Sequence, residues 1–154
     1  MASLKSKQSL LHSIKPVGVA DREEPPISDL QMPVGVSKAE FERAWTFLAP
    51  SVARSGEHTM LSVLAALNKG RRKLWLTDEC AVITEIVKYP SGLVVGNMWL
   101  GGGSLPAILG LFPQMEEWMR RHGATESRIS GRPGWARVTG YKTFRSMTRK
   151  ELIR

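Results

Sequence analysis

Apolar residues recur at three- and four-residue steps through Phe41, Ala44, Trp45 and Leu48, the pattern of one buried helix face. Ser37 and Glu40 precede them at capping-box spacing, so a helix is expected to open at Ser37, with Pro50 at its end. A second helix is expected over 57–69, with Met60, Leu61, Leu64, Ala65 and Leu67 inward and Gly70 as its stop. The period then changes. KLWLT (73–77), the β-branched run CAVITEIVKY (80–89) and LVVGNMWL (93–100) read as three strands. The turn residues Tyr89-Pro90-Ser91-Gly92 and the short connections favour an antiparallel meander.

GGGSLP leads from the third strand into another helix, with Ser104 as N-cap and Leu105, Ile108, Leu109, Phe112, Met115 and Met119 on one face. Pro113 is expected to kink or divide it. Arg120, Arg121 and His122 fall in its last turn and Gly123 just beyond, so His122 reads as a helix-end residue rather than a catalyst. A strand over 126–131, a short helix over 135–139, the pair Gly140-Tyr141 and a last strand over 142–152 complete the pattern. The order predicts an α/β fold, a mixed sheet flanked by helices.

Before Ser37 the periodicity is missing. Residues 1–36 hold four prolines (Pro16, Pro25, Pro26, Pro33) and read as an extended N-terminal arm, with a short helix over 3–14 and the folded domain over 37–154. A polar arm of this kind orders on contact, so neighbouring proteins are expected partners. No apolar run reaches the length of about 18 residues that crosses a membrane. The N-terminal segment lacks the continuous apolar centre of a secretory signal, which predicts synthesis in a cytoplasm.

Charge adds more than composition. Ten Lys and Arg face two acids within 120–154, so the whole net charge of +8 resides there. This polarity suggests DNA or an acidic protein surface as a partner, or a sheet edge kept clear of added strands. Arg128, Arg132, Arg137, Lys142, Arg145 and Arg149 are the candidate contacts, with Trp135 and Tyr141 available to stack; on a strand, Arg145 and Arg149 share a face. Trp45, Trp75, Trp99 and Trp118 sit at apolar-periodic positions and read as core. Cys80, the single cysteine, lies among apolar residues and reads as a buried hydrophobe. His12, His58 and His122 have no ligand spacing, and no metal site is expected.

The succession LVVGNMWL, GGG, SLPAILGLFPQMEEWMRRHGA, TESRISGR and PGWARVTGYKTFRSMTRKEL resembles the GNAT N-acetyltransferases over about residues 38–152. The GRPGW turn followed by a Gly-aromatic pair is also similar to small GNAT-like proteins of tailed bacteriophages, some of which lie inside the particle. The resemblance implies a pyrophosphate site for acetyl-CoA at Gly101, Gly102, Gly103 and Ser104. It also implies a carboxylate base on the third meander strand and a tyrosine acid ahead of the Gly-aromatic pair. Here Leu100 stands where the family has Gln or Arg, and Pro106 removes a donor. The third strand holds Asn97 instead of a carboxylate, which leaves Glu85 on the neighbouring strand as the candidate base, and Ala136 occupies the tyrosine position. The leading expectation is therefore a non-catalytic binding or assembly protein of a phage particle, with no cofactor. The alternatives are an acetyl-CoA-dependent N-acetyltransferase and a non-specific nucleic-acid-binding module.

Overall fold

The computed structural model describes residues 26–131, 134–145 and 147–153. Helix α1 (Lys38–Ser55) opens on the expected capping box: the Ser37 hydroxyl accepts from the Glu40 N–H at 3.1 Å, and the Glu40 carboxylate accepts from the Ser37 N–H at 2.9 Å. The main-chain donor, then the hydroxyl, hold the Glu40 carboxyl below the ordinary carboxylate range. Pro50 does not end this helix. Phe41, Ala44, Leu48 and Val52 form one buried stripe that runs past it, and packing carries the chain on to a left-handed cap at Gly56 (φ 68). Helix α2 (Met60–Asn68) is capped by Thr59 and buries Met60, Val63, Leu64 and Leu67. That is the inward face counted from Met60, so Val63 takes the place expected of Ala65, which is exposed.

Strands β1 (Arg72–Leu76), β2 (Cys80–Lys88) and β3 (Val94–Gly103) form the expected antiparallel meander. Helix α3 (Leu105–Arg121) returns the chain so that β4 (Glu126–Ile129) joins β3 in parallel, giving a mixed sheet of order β1-β2-β3-β4. Pro113 lies inside α3 without dividing it, because Ile108, Phe112, Met115 and Met119 stay buried on both sides of it. A short helix α4 (Gly134–Thr139) follows.

Alternation along β2 feeds two cores. Ala81 and Ile83 face α1 and α2, whereas Cys80, Val82 and Ile86 face α3. Cys80 is fully buried, as expected, with Thr77 Oγ1 at 3.3 Å. Of the segment read as an arm, Ile27, Leu30, Met32 and Val36 pack against the α1–α2 core. Residues 1–25, including the helix expected over 3–14, lie outside the described residues. The strand expected over 142–152 does not form among the described residues. Its apolar side chains, Phe144, Met147 and Leu152, are spaced by three and five rather than by two. They are exposed, and the intervening charges leave no apolar face to lay on a sheet. Among the described residues no helix is long and apolar enough to cross a membrane.

Candidate functional site

β3 is not evenly paired. Opposite β2, Ile83 faces Leu100 and Thr84 faces Met98, so Trp99 is the extra residue of a bulge. On its other side β3 pairs with β4 only over Val95–Met98. From Trp99 to Gly103, therefore, β3 has β2 along one flank and no strand along the other among the described residues. That open flank, α1, the start of α3 and Trp135 bound a cavity of about 310 Å³. Its lining includes Ser51 and Arg54 from α1, Gly101, Gly102 and Gly103, and Leu105. Of the four residues singled out for a pyrophosphate, Gly101, Gly102 and Gly103 thus line a cleft, whereas Ser104 is not in its lining among the described residues.

The glycines belong to β3 rather than to a loop, pairing Gly101 with Val82, Gly102 with Ala81 and Gly103 with Cys80. A Cβ on Gly102 would lie 2.0 Å from the Phe47 carbonyl oxygen, and one on Gly103 (φ +106) would lie 2.3 Å from that of Glu79. Close approach of α1 and of β2 accounts for both glycines. The Ser104 N–H donates to the Glu79 carbonyl at 2.9 Å. Ladder alternation then turns the Gly102 N–H toward β2 and the Gly101 and Gly103 N–H groups toward the open flank.

Fit to a diphosphate depends on the next turn. Ser104 gives its N–H to Glu79 and Pro106 has none, while Ala107 donates to the Ser104 hydroxyl at 3.4 Å. Across Ser104–Ala107 only the Leu105 N–H is not taken up by these contacts. A helix N-terminus binds phosphate through several convergent N–H groups, and among the described residues Arg54 is the only cation in the lining. These residues do not form a pyrophosphate cradle, although the Gly101 and Gly103 N–H groups leave an edge that an extended ligand could pair with.

Nor, among the described residues, does the lining hold a carboxylate, histidine, cysteine or tyrosine. Glu85 is held elsewhere on the sheet. Its carboxylate accepts from Arg72 (3.1 and 3.2 Å) and from Asn97 Nδ2 (2.9 Å), and Asn97 Oδ1 in turn accepts from the Ser130 hydroxyl at 3.1 Å. Arg72 also lies over the Trp99 ring at 5.2 Å, and His58 meets that ring edge-on at 4.9 Å. This row ties β1, β2 and β3 to the residue that follows β4 and engages both Glu85 oxygens. His122 caps α3 with Nδ1 2.8 Å from the Trp118 carbonyl, as expected of a helix-end residue.

Tyr141 and Trp135, both half-buried, are held by packing and hydrogen-bond neighbours. The Tyr141 hydroxyl donates to Glu116 at 2.6 Å and lies 2.7 Å from the Ser127 hydroxyl. Burial first, and then the Glu116 hydrogen bond, push its phenol well above the usual tyrosine range. The Trp135 ring stacks on Phe112 at 6.5 Å. Among the basic candidates, Arg128 is engaged: it pairs with Glu126 at 2.6 Å and lies over Tyr89 and Phe144 at 5.6 and 4.7 Å. Arg145 lies over Phe144 at 4.9 Å, while Arg137, Lys142 and Arg149 are exposed. Arg132 lies outside the described residues. Sequence reasoning missed Tyr89 and Phe144 as the aromatic members of the basic surface. The run Phe144-Arg145 carried a local signal, but the contact with residue 128 depends on the fold.

Four strands in this order, a bulge in β3, and a helix returning the chain to a parallel β4 define a GNAT-like fold. Among solved structures the chain is similar to the aminoglycoside antibiotic 6'-N-acetyltransferase AAC(6')-IG of Acinetobacter haemolyticus in its apo form. The TM-score is 0.50 at 14% sequence identity, over 76% of this chain and 94% of that one. No protein-family model and no curated protein matches the chain.

Proposed function

We propose that the chain is a non-catalytic binding and assembly protein built on a GNAT-like scaffold, a minor component of a tailed-phage particle. The residues ahead of Ile27 would contact neighbouring virion proteins, because Ile27, Leu30, Met32 and Val36 pack on the chain's own core. The observation that carries the non-catalytic part is the turn Ser104–Ala107, where a cofactor diphosphate would need donors that the fold has already engaged or that Pro106 lacks. The absence of a proton-transfer group from the cleft lining among the described residues points the same way. The particle assignment rests on the GRPGW sequence and the Gly-aromatic pair after it.

The second reading, an acetyl-CoA-dependent N-acetyltransferase, is favoured by the open flank of β3. There the Gly101 and Gly103 N–H groups could pair with an extended cofactor arm. One experiment separates the two. The full chain is titrated with acetyl-CoA at millimolar concentration and then supplied with an amine acceptor, including an aminoglycoside, the antibiotic class in the neighbour's name. We expect no heat and no acetyl transfer, while the full chain co-purifies with particles and a chain lacking residues 1–25, which keeps Ile27, Leu30 and Met32 on the core, does not. Saturable heat with turnover overturns the non-catalytic reading, and full occupancy of the truncated chain overturns the arm's role.

A further inference from the structure

Three segments distant in sequence converge on the basic side of the molecule. Tyr89 comes from the turn after β2, Arg128 from β4, and Phe144 with Arg145 from the C-terminal stretch. The Arg128 guanidinium donates to the Tyr89 hydroxyl at 3.4 Å and lies over both aromatic rings, and the Arg145 guanidinium shares the Phe144 ring at 4.9 Å. Phe144 is 63% exposed and Tyr89 37%. Lys142 is exposed on the same stretch, and Glu126, paired with Arg128, is the one acid in the group.

We propose that this alternation of cations and flat rings is a contact surface for single-stranded nucleic acid. A partner that fits it must bring repeated negative charge and planar apolar faces together. Phosphates answer the guanidinium and ammonium groups, and unpaired bases stack on exposed rings and guanidinium planes. An acidic peptide supplies the charge without the planes, and a duplex hides its bases. The surface lies apart from the β3 cleft, so it goes beyond the assembly reading and does not depend on whether the cleft binds acetyl-CoA.

The test uses the full chain and a fluorescently labelled oligo-dT. Anisotropy should report binding whose log affinity falls with log salt at a slope of about −1.4, as expected for Lys142 and Arg145 each neutralising a phosphate on a single strand, the charge of Arg128 being already met by Glu126. Phe144→Ala should weaken binding about tenfold at constant salt through lost stacking. Arg145→Ala should flatten the slope by about 0.7. Both side chains are solvent-facing, so equal melting temperatures will show that these losses are not unfolding. No binding at low salt overturns the proposal. So does duplex bound as tightly as oligo-dT, an unchanged Phe144→Ala variant, or poly-glutamate competing as well as oligo-dT. The last outcome would assign the surface to an acidic protein. Loss of the acetyl-CoA result described above would leave this measurement untouched.

Discussion

Replacing Gly102 by alanine tests whether the glycine run serves packing or a ligand. The added Cβ would stand 2.0 Å from the Phe47 carbonyl oxygen and 2.9 Å from its carbon. Ordinary contact begins near 3.4 Å, so α1 must retreat by about 1.4 Å. The obstacle is backbone, flanked by the fully buried Ala44 and Leu48, and has no rotamer through which to yield. Overpacking of this kind costs about 1–3 kcal/mol, and a main-chain obstacle places Gly102→Ala at about 3 kcal/mol. For a domain of this size that lowers the melting temperature by about 10 °C. Gly101 is the internal control, because its added Cβ would meet nothing nearer than 3.7 Å. Gly101→Ala should change stability by less than about 1 kcal/mol in either direction. Urea unfolding followed by tryptophan fluorescence measures both. Equal effects at the two positions, or a Gly102→Ala variant within about 0.5 kcal/mol of the parent, would refute packing as the reason for Gly102.

Glu85→Gln keeps the shape of the side chain but leaves Arg72 beside it without a counter-charge. A loss of about 1–2 kcal/mol in urea is expected, and no loss would mean that the row across the sheet is ornamental. Tyr141→Phe removes the hydrogen bond to Glu116 and should cost about 1.5 kcal/mol at neutral pH. Because folding raises the Tyr141 pKa, its contribution is complete below the ordinary tyrosine value of about 10 and declines above it. The gap between parent and variant should therefore narrow as pH rises past about 10, and a gap that stays constant would contradict the assigned hydrogen bond.

Periodicity was most informative where a side chain's partners lie on its own element. The α1 capping box, the meander, the burial of Cys80 and the inward face of α3 all follow from spacing and residue type, except that Leu105, expected inward, is exposed in the first turn of α3. Both interior prolines misled for one reason: a continuous apolar stripe outweighs the lost hydrogen bond, and the stripe matters only once a sheet lies against it. Gly101, Gly102 and Gly103 read as a loop because glycine is a poor strand former. What keeps them in β3 is pairing with Val82, Ala81 and Cys80 of β2, and the nearness of the Phe47 and Glu79 carbonyls to Gly102 and Gly103 excludes side chains there; no local window contains either. The same limit applies to the site. Glu85 was legible as a polar break in an apolar strand, but its engagement by Arg72 and Asn97 depends on strand register. The basic surface was legible as charge, and its aromatic members emerged only when the turn at Tyr89 met residue 128.

The side chains of Arg72, Glu85, Asn97 and Ser130 run across the sheet as a cross-tie. A slip of β2 against β1 or β3 by one position would send Glu85 to the opposite face and strand a guanidinium among apolar groups, so the tie fixes alignment at that level. Any mismatch in length between β2 and β3 must then be absorbed beyond the tie, and Trp99 is the first residue there able to take it up.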